Sequence, residues 1–170
     1  MFFYSKEEYI EYVLNVIAKV KLNNNLKKVT QIQIQKIMYI IYSYFLIFKS
    51  KIVDIKFETW KWGPVIYELW KNHTKYSKLN VPLIFDKEKD FKISNNFEIE
   101  NKITYEIIKF LLNLKHWDIV SICHEQTPWK KIYSPSKNYL ITDQDILSFH
   151  MENNDNFFEY IDFIVKNVLK

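Results

Sequence analysis

The sequence contains no arginine, one glycine and one cysteine, and each shortage excludes a class of site. Because all 24 basic residues are lysines, the chain lacks the planar side chain that best reads guanine or phosphate with paired hydrogen bonds. The single glycine, Gly63, excludes a glycine-rich phosphate loop. The single cysteine, Cys123, excludes an intrachain disulfide and a thiolate-rich metal site. A lone thiol suits a reducing cytoplasm, where we expect the protein to act.

The remaining composition indicates one folded domain. A chain of 170 residues with 48% hydrophobic and 18% aromatic residues can bury a sizeable core without disulfides. The net charge of +4 comes from scattered lysines, so binding to nucleic acid is not expected. The longest apolar run, Ile37–Phe48, is interrupted by Ser43 and is shorter than the ~20 residues that span a bilayer. Charged residues follow soon after the first methionine, so we expect neither a secretory leader nor a membrane partner.

The stretch from Phe57 to Tyr67 organises the chain, because it places the only glycine directly before one of four prolines. Gly63 can adopt a positive φ, and Pro64 has the φ of a first helical residue. The sequence therefore predicts a corner, with an extended arm over 53–62 before it and a helix that begins at Pro64. Period-two alternation gives the arm one buried face, formed by Val53, Ile55, Phe57 and Thr59.

Helices are predicted on both sides of this corner. Two capping boxes, Ser5 with Glu8 and Thr30 with Gln33, begin the first two helices. The second helix is apolar almost all round and should lie at the centre of the fold. Later helical patterns occur at 99–114, at 117–123, after Thr142 and at about 156–169. The expected fold is mainly α: a compact single-domain helical bundle with a short β arm or hairpin before Gly63-Pro64 and a second β piece around 81–93.

Aromatic residues gather around the corner and are its candidate binding groups. Tryptophan and tyrosine are enriched in the energetically dominant parts of protein interfaces. The alternative is that these rings fill the core, and the sequence leaves both readings open for Trp60 and Trp129. Exposure at an interface is favoured for Trp62 and Tyr67, which flank the corner.

A few polar residues near the aromatic ones need their own interpretation. His124 beside Glu125 suggests a general base or metal ligand, but a histidine at a helix end more often bonds to backbone. Cys123 falls on the apolar stripe of its helix and is interpreted as a buried structural thiol. Lys36 lies in the middle of the central helix, where it either extends to solvent or pairs with Glu58 near the corner; we favour the pairing.

Three segments, in this order along the chain, resemble the signatures of one protein family. Gln35–Tyr39 resembles Leu-Gln-Lys-Leu-Leu-Tyr, Phe57–Val65 resembles Glu-Ala-Trp-x-Tyr-Gly-Pro-Val, and His124–Trp129 resembles Thr-His-x-x-x-Pro-Trp. On these segments the chain resembles the Panacea domain family of phage-associated GepA-like and SocA-like proteins, over roughly residues 5–150. Trp62 stands where the family usually has tyrosine, which keeps an aromatic ring at that position.

The resemblance implies an antitoxin that neutralises a cognate toxin by direct binding and has no chemistry of its own. No catalytic residue, cofactor or metal is therefore expected. In SocA-like members the antitoxin also hands the toxin to a protease, which is a second implied partner. Residues 1–150 would form the Panacea-like helical domain, with 151–170 as a C-terminal helix packed on it. The expected partner-binding residues are Trp60, Trp62, Tyr67, His124, Pro128 and Trp129, and the expected structural corner comprises Gly63, Pro64, Lys36 and Glu58.

Two other functions remain open at the level of sequence. A DNA-binding regulator would use the helical elbow between residues 99 and 123, with nearby lysines on phosphates: Lys102, Lys109, Lys115, Lys130 and Lys131. An enzyme would depend on His124 and Glu125 alone, without the spacing of a zinc-binding H-E-x-x-H motif. We expect a binding protein and not an enzyme.

Overall fold

The computed structural model describes residues 3–76, 80–90, 97–125, 127–153 and 156–170. The chain is mainly α-helical with a short β-hairpin, which confirms the predicted fold class. The helices are α1 Lys6–Asn23, α2 Gln31–Phe48, α3 Tyr67–His73, α4 Glu98–Leu112, α5 His116–Glu125, α6 Trp129–Ile132, α7 Asp143–Asn153 and α8 Asn156–Leu169. The strands are β1 Phe57–Trp60, β2 Gly63–Val65 and β3 Leu140–Ile141. Thr74–Tyr76 form a 3-10 turn, and residues 87–90 are also helical.

Helix α2 is the centre of the fold, as its apolar sequence predicts. It begins at a complete capping box, in which Thr30 accepts a hydrogen bond from the Gln33 amide and Gln33 accepts one from the Thr30 amide. Every side chain from Gln33 to Phe45 is buried. Six helices and strand β2 pack around it: α1, α3, α4, α5, α7 and α8. A segment that is hydrogen-bonded to side chains of α2 is therefore anchored to the core of the protein.

Helix α1 packs against α2 and α4 through a continuous apolar stripe. Ser5 caps its first turn by accepting a hydrogen bond of 3.2 Å from the Glu8 amide. The Glu8 carboxylate accepts from the Tyr4 amide instead of the Ser5 amide, so the predicted box is shifted by one residue. The buried Tyr9 hydroxyl donates to the Met38 carbonyl at 2.6 Å and joins α1 to α2.

The predicted corner is an antiparallel hairpin, in which β1 and β2 are joined by a turn at Lys61 and Trp62. Gly63 has a φ of 95°, in the left-handed region that favours glycine. The prediction that a helix begins at Pro64 is wrong, because β2 continues to Val65 and α3 begins at Tyr67. Strand β2 lies at the edge of the sheet, where a residue without an N–H is tolerated.

The sheet has a third strand that the sequence pattern does not predict. Strand order is β2-β1-β3, with β3 antiparallel to β1. Thr59 extends this pairing, since its amide donates to the Tyr139 carbonyl at 2.7 Å and its hydroxyl accepts from the Tyr139 amide at 3.0 Å. The predicted buried face of the arm is confirmed, and its members are Val53, Ile55, Phe57 and Thr59.

The second β piece expected around 81–93 is not present in its described part, 81–90, which contains no strand; residues 91–93 lie outside the described residues. Helix α1 and the residues before α2 supply partners for the backbone there. The Asn15 side chain of α1 donates to the Asp86 carbonyl at 3.1 Å and accepts from the Asp86 amide at 2.8 Å. The Val81 amide donates to the Val29 carbonyl just before α2. These bonds attach the irregular segment 81–86 to the helical core.

The C-terminal helices close the core. Thr142 and Asp145 exchange hydrogen bonds and cap α7, as their spacing predicts. Helix α8 packs against α4 and α2, and the Tyr44 hydroxyl of α2 donates to its Asp162 at 3.0 Å. The apolar face of α8 joins the same buried cluster as the other helices, through Phe158, Ile161 and Val165. No helix in the described part of the chain has the length and apolar character needed to cross a bilayer.

Candidate functional site

The aromatic residues of the corner separate into two clusters. In the first, Trp60 at the end of β1 contacts two rings of α3: its centroid lies 4.9 Å from that of Trp70 and 6.4 Å from that of Tyr67. The Trp60 indole N–H donates to the Glu58 carboxylate at 2.8 Å. Trp60 is half-buried by these contacts, whereas Tyr67 is 45% exposed. The first cluster therefore presents mainly Tyr67 to solvent.

The second cluster pairs the hairpin turn with α5. Trp62 lies 5.5 Å from Trp117 between ring centroids, at an interplanar angle of 66°. The two indoles are 45% and 57% exposed. The Lys61 ammonium lies 4.7 Å from the Trp62 ring centroid, within the range of a cation–π contact. Trp117 was not among the sequence-predicted site residues; its place at the start of the helical pattern predicted for 117–123, directly after a short turn, is the signal that could have indicated its exposure.

His124, Pro128 and Trp129 lie beneath the hairpin and support it. Trp129 is only 8% exposed, and Pro128 is buried. The Trp129 ring stacks between His124, at 3.9 Å, and Tyr133, at 4.5 Å. Its indole N–H donates to the Trp60 carbonyl at 2.8 Å. This bond attaches Trp129 to the backbone of β1 at its last residue.

Lys36 is buried beside the hairpin and does not form the expected pair with Glu58. Its side chain is 1% exposed, and its ammonium donates to the Pro64 carbonyl at 2.8 Å. Burial lowers the pKa of Lys36 to about 8. Lys36 donates to the Pro64 carbonyl instead, and the Glu58 carboxylate accepts from the Trp60 indole N–H. A Cβ on Gly63 would lie 3.0 Å from Lys36 Cε, so the lysine occupies the space that the glycine leaves open.

Two glutamines of α2 also hold the chain after the hairpin, and the sequence analysis did not assign them a role. The Gln35 side chain accepts from the Ile66 amide at 2.8 Å and donates to the Ile66 carbonyl at 3.2 Å. One turn earlier, Gln31 donates to the Trp70 carbonyl at 2.9 Å. Buried amides four residues apart on an otherwise apolar helix were the signal that such contacts exist.

The candidate catalytic groups are not arranged together for chemistry. The His124 ring stacks on Trp129, and burial, with the charge of Lys36, lowers the pKa of His124. Glu125 pairs with Lys130 at 3.0 Å. Cys123 is buried, and burial raises the pKa of its thiol to about 12, so little thiolate forms. Among the described residues, no group of three or more His, Cys, Asp or Glu side chains could hold a metal ion.

The lysines proposed to contact DNA are partly paired with acidic side chains. Lys109 lies 3.5 Å from Glu106, Lys130 lies 3.0 Å from Glu125, and Lys131 lies 3.0 Å from Glu152. Ion pairs of this kind reduce the positive potential available to phosphates. Of these three lysines, Lys109 lies on α4, and Lys130 and Lys131 lie on α6.

With this geometry described, the chain was compared with known proteins. Protein-family models, curated proteins and solved structures give no match.

Proposed function

We propose that this chain is an antitoxin that neutralises a cognate toxin by direct protein–protein binding. The observation that carries the proposal is the exposure of Trp62, Trp117 and Tyr67 around one hairpin whose backbone is fixed from the core. Exposed tryptophans on a rigid support are typical of interface anchors, because they bury a large area on binding and lose little conformational freedom.

The three segments that resemble the Panacea signatures are connected by hydrogen bonds. Lys36 of the first segment donates to Pro64 of the second, and Trp129 of the third donates to Trp60 of the second. Signature residues far apart in sequence thus converge on one hairpin. This convergence supports the idea that the signatures describe a support for the turn, and that Trp62 is the residue the support presents.

The proposed partners follow from the same resemblance. The first is a toxin encoded by a neighbouring gene, and the second is a cytoplasmic protease to which the complex is delivered, as in SocA-like members. We place the activity in binding and assign no catalytic residue. The DNA-binding alternative gains no support, because three of its five proposed lysines already have carboxylate partners.

Co-expression with the neighbouring gene product tests the proposal. We expect that product to arrest growth alone and this chain to restore growth. Trp62→Ala and Tyr67→Ala should weaken capture of the toxin by about tenfold or more while keeping the melting temperature, because both rings are half exposed. Tyr160→Ala on α8 is the matched control, since Tyr160 is 51% exposed and lies outside both clusters.

Two results would contradict the proposal. One is a neighbouring product whose toxicity is unaffected by this chain. The other is binding to a DNA fragment that weakens steeply with salt and persists in Trp62→Ala, because phosphate contacts depend on counterion release whereas burial of indoles does not.

A further inference from the structure

A groove opens between the hairpin turn and the start of two helices. Its volume is about 720 Å³. The Trp62 and Trp117 indoles contribute apolar surface to it, and the start of α2 with His116, the first residue of α5, completes it. Its lining residues are Lys28, Thr30, Ile32, Gln33, Trp62, His116 and Trp117. Aromatic surface and one cation thus meet in a single concave site.

The charges around the groove are predominantly positive. Lys28 lines it, Lys61 lies over the Trp62 ring, and Lys36 is buried nearby in α2. Helices α2 and α5 both begin at the groove, and the N-terminal end of a helix carries a partial positive charge. The pKa of His116 is lowered, first by burial and then by the charges of Lys28 and Lys36.

The negative charges near the groove lie outside its lining. No Asp or Glu is among the described residues that line the groove. Glu58 is on β1, where its carboxylate accepts the indole N–H of Trp60, and Asp118 is exposed on the first turn of α5. His116 Nδ1 lies 3.1 Å from the Thr30 hydroxyl, so this ring is held by the cap of α2. The groove is therefore complementary to a ligand with negative charge and an aromatic or large apolar side chain.

We propose that this groove binds an acidic peptide segment of the partner protein, with an aromatic side chain of that segment packed against Trp62 and Trp117 and its carboxylates near Lys28. The inference rests on the proposed function in taking the partner to be a protein, and it adds the chemistry of the segment that is recognised. Lys28 favours a segment with negative charge, and the indoles of Trp62 and Trp117 favour one with an aromatic side chain.

Selection from a phage-displayed library of short random peptides on the purified chain tests the proposal. We expect the selected peptides to combine Asp or Glu with an adjacent Trp, Tyr or Phe. A synthetic copy of the best peptide should bind Trp117→Ala and Lys28→Glu about tenfold or more weakly than the unmodified chain. Binding to Tyr160→Ala should be unchanged, because this exposed ring lies on α8.

Lys28→Glu provides a second test that does not depend on loss of binding. Selection on this variant should remove the enrichment of Asp and Glu and favour Lys or Arg beside the aromatic residue. Selected peptides without an acidic excess on the unmodified chain, no selected peptide at all, or equal binding to Trp117→Ala would each overturn the proposal. Lys28 and Trp117 are both exposed, so a melting curve suffices to confirm that the variants fold.

The two proposals fail in different ways. If the chain and its Trp117→Ala variant neutralise the neighbouring toxin equally well, the antitoxin function stands and the groove proposal falls. If acidic aromatic peptides bind the groove but no neighbouring product is neutralised, the groove proposal stands and the antitoxin function falls.

Discussion

The indole N–H of Trp129 donates a hydrogen bond of 2.8 Å to the backbone carbonyl of Trp60, two tryptophans that lie 69 residues apart in the chain. This bond ties α6 to the last residue of β1, directly before the turn that carries Trp62. The bond between Trp60 and Trp129 therefore fixes the position of the hairpin, and with it the position of the exposed Trp62. Two tryptophans, Trp60 and Trp129, thus stabilise the hairpin, and a third, Trp62, is exposed on it.

Replacing Trp129 by phenylalanine should lower the free energy of unfolding by about 1–3 kcal/mol, because the Trp60 carbonyl loses its donor and the ring becomes smaller. Trp117→Phe is the matched control: Trp117 is 57% exposed, and a surface substitution of this kind changes stability by roughly 0.5 kcal/mol or less. Urea denaturation followed by circular dichroism measures both. Equal shifts for the two variants would show that the Trp129 hydrogen bond does not stabilise the fold.

Position 63 requires glycine for two reasons: its φ is positive, and Lys36 occupies the space where a Cβ would lie. Gly63→Ala should destabilise the protein by about 1–3 kcal/mol from its positive φ alone, and the new methyl group would lie 3.0 Å from Lys36 Cε and 3.2 Å from Lys36 Nζ. Asn25 also has a positive φ, 51°, but is exposed. We therefore expect Asn25→Ala to be measurably milder than Gly63→Ala in thermal unfolding. If the two variants melted together, contact with Lys36 would have no energetic consequence.

Sequence reasoning succeeded where the signal was local. The box at Thr30 and Gln33, the all-round apolar α2 and the left-handed glycine each depend on neighbours within a few residues, and each is present. The helix expected at Pro64 failed because distant side chains control that segment. Gln35 binds the backbone of Ile66 from 31 positions away and holds the chain extended until Tyr67.

The candidate site was predictable in composition but not in arrangement. Trp60 and Trp62 are two residues apart, yet the strand turns the first toward α3 and the hairpin turn exposes the second. The position of Trp62 beside Gly63 favoured its exposure, whereas the sequence left the surroundings of Trp60 open, because its contacts with α3 depend on the fold. The partner of Lys36 could not be predicted either, because every residue has a backbone carbonyl and no residue type indicates that the one of Pro64 would accept the bond. Strand β3, at two residues, is too short to show a period.

The buried ammonium of Lys36 should make stability depend on pH in the alkaline range. Its pKa is lowered by burial from 10.5 to about 8 in the folded state. Between these values the unfolded chain binds more protons than the folded chain, so the free energy of unfolding should rise with pH. A shift of this size corresponds to at most about 3 kcal/mol across the window.

Lys36→Met isolates this effect. The variant should lack the rise between pH 8 and 10.5; at neutral pH its stability also reflects the Pro64 carbonyl, which loses its donor. Buried tyrosines such as Tyr9 have pKa values raised by burial and act in the opposite direction at higher pH, but they are the same in both proteins and cancel in the difference. Denaturation curves at several pH values give that difference, and parallel pH profiles would exclude a titrating Lys36.

The two hydrogen bonds between Gln35 and Ile66 should make Gln35 the most sensitive polar residue of α2. Gln35→Leu leaves the buried Ile66 amide without a partner, which costs about 1–3 kcal/mol, whereas the Ile66 carbonyl keeps the bond of 3.0 Å that it accepts from the Trp70 amide. Gln31→Leu removes one bond, to the Trp70 carbonyl, and leaves the Ile66 amide paired with Gln35, so its effect should be smaller. Hydrogen exchange adds a local measurement, in which Gln35→Leu but not Gln31→Leu should lose protection at the Ile66 amide. Equal protection in both variants would mean that β2, and not Gln35, holds Ile66 in place.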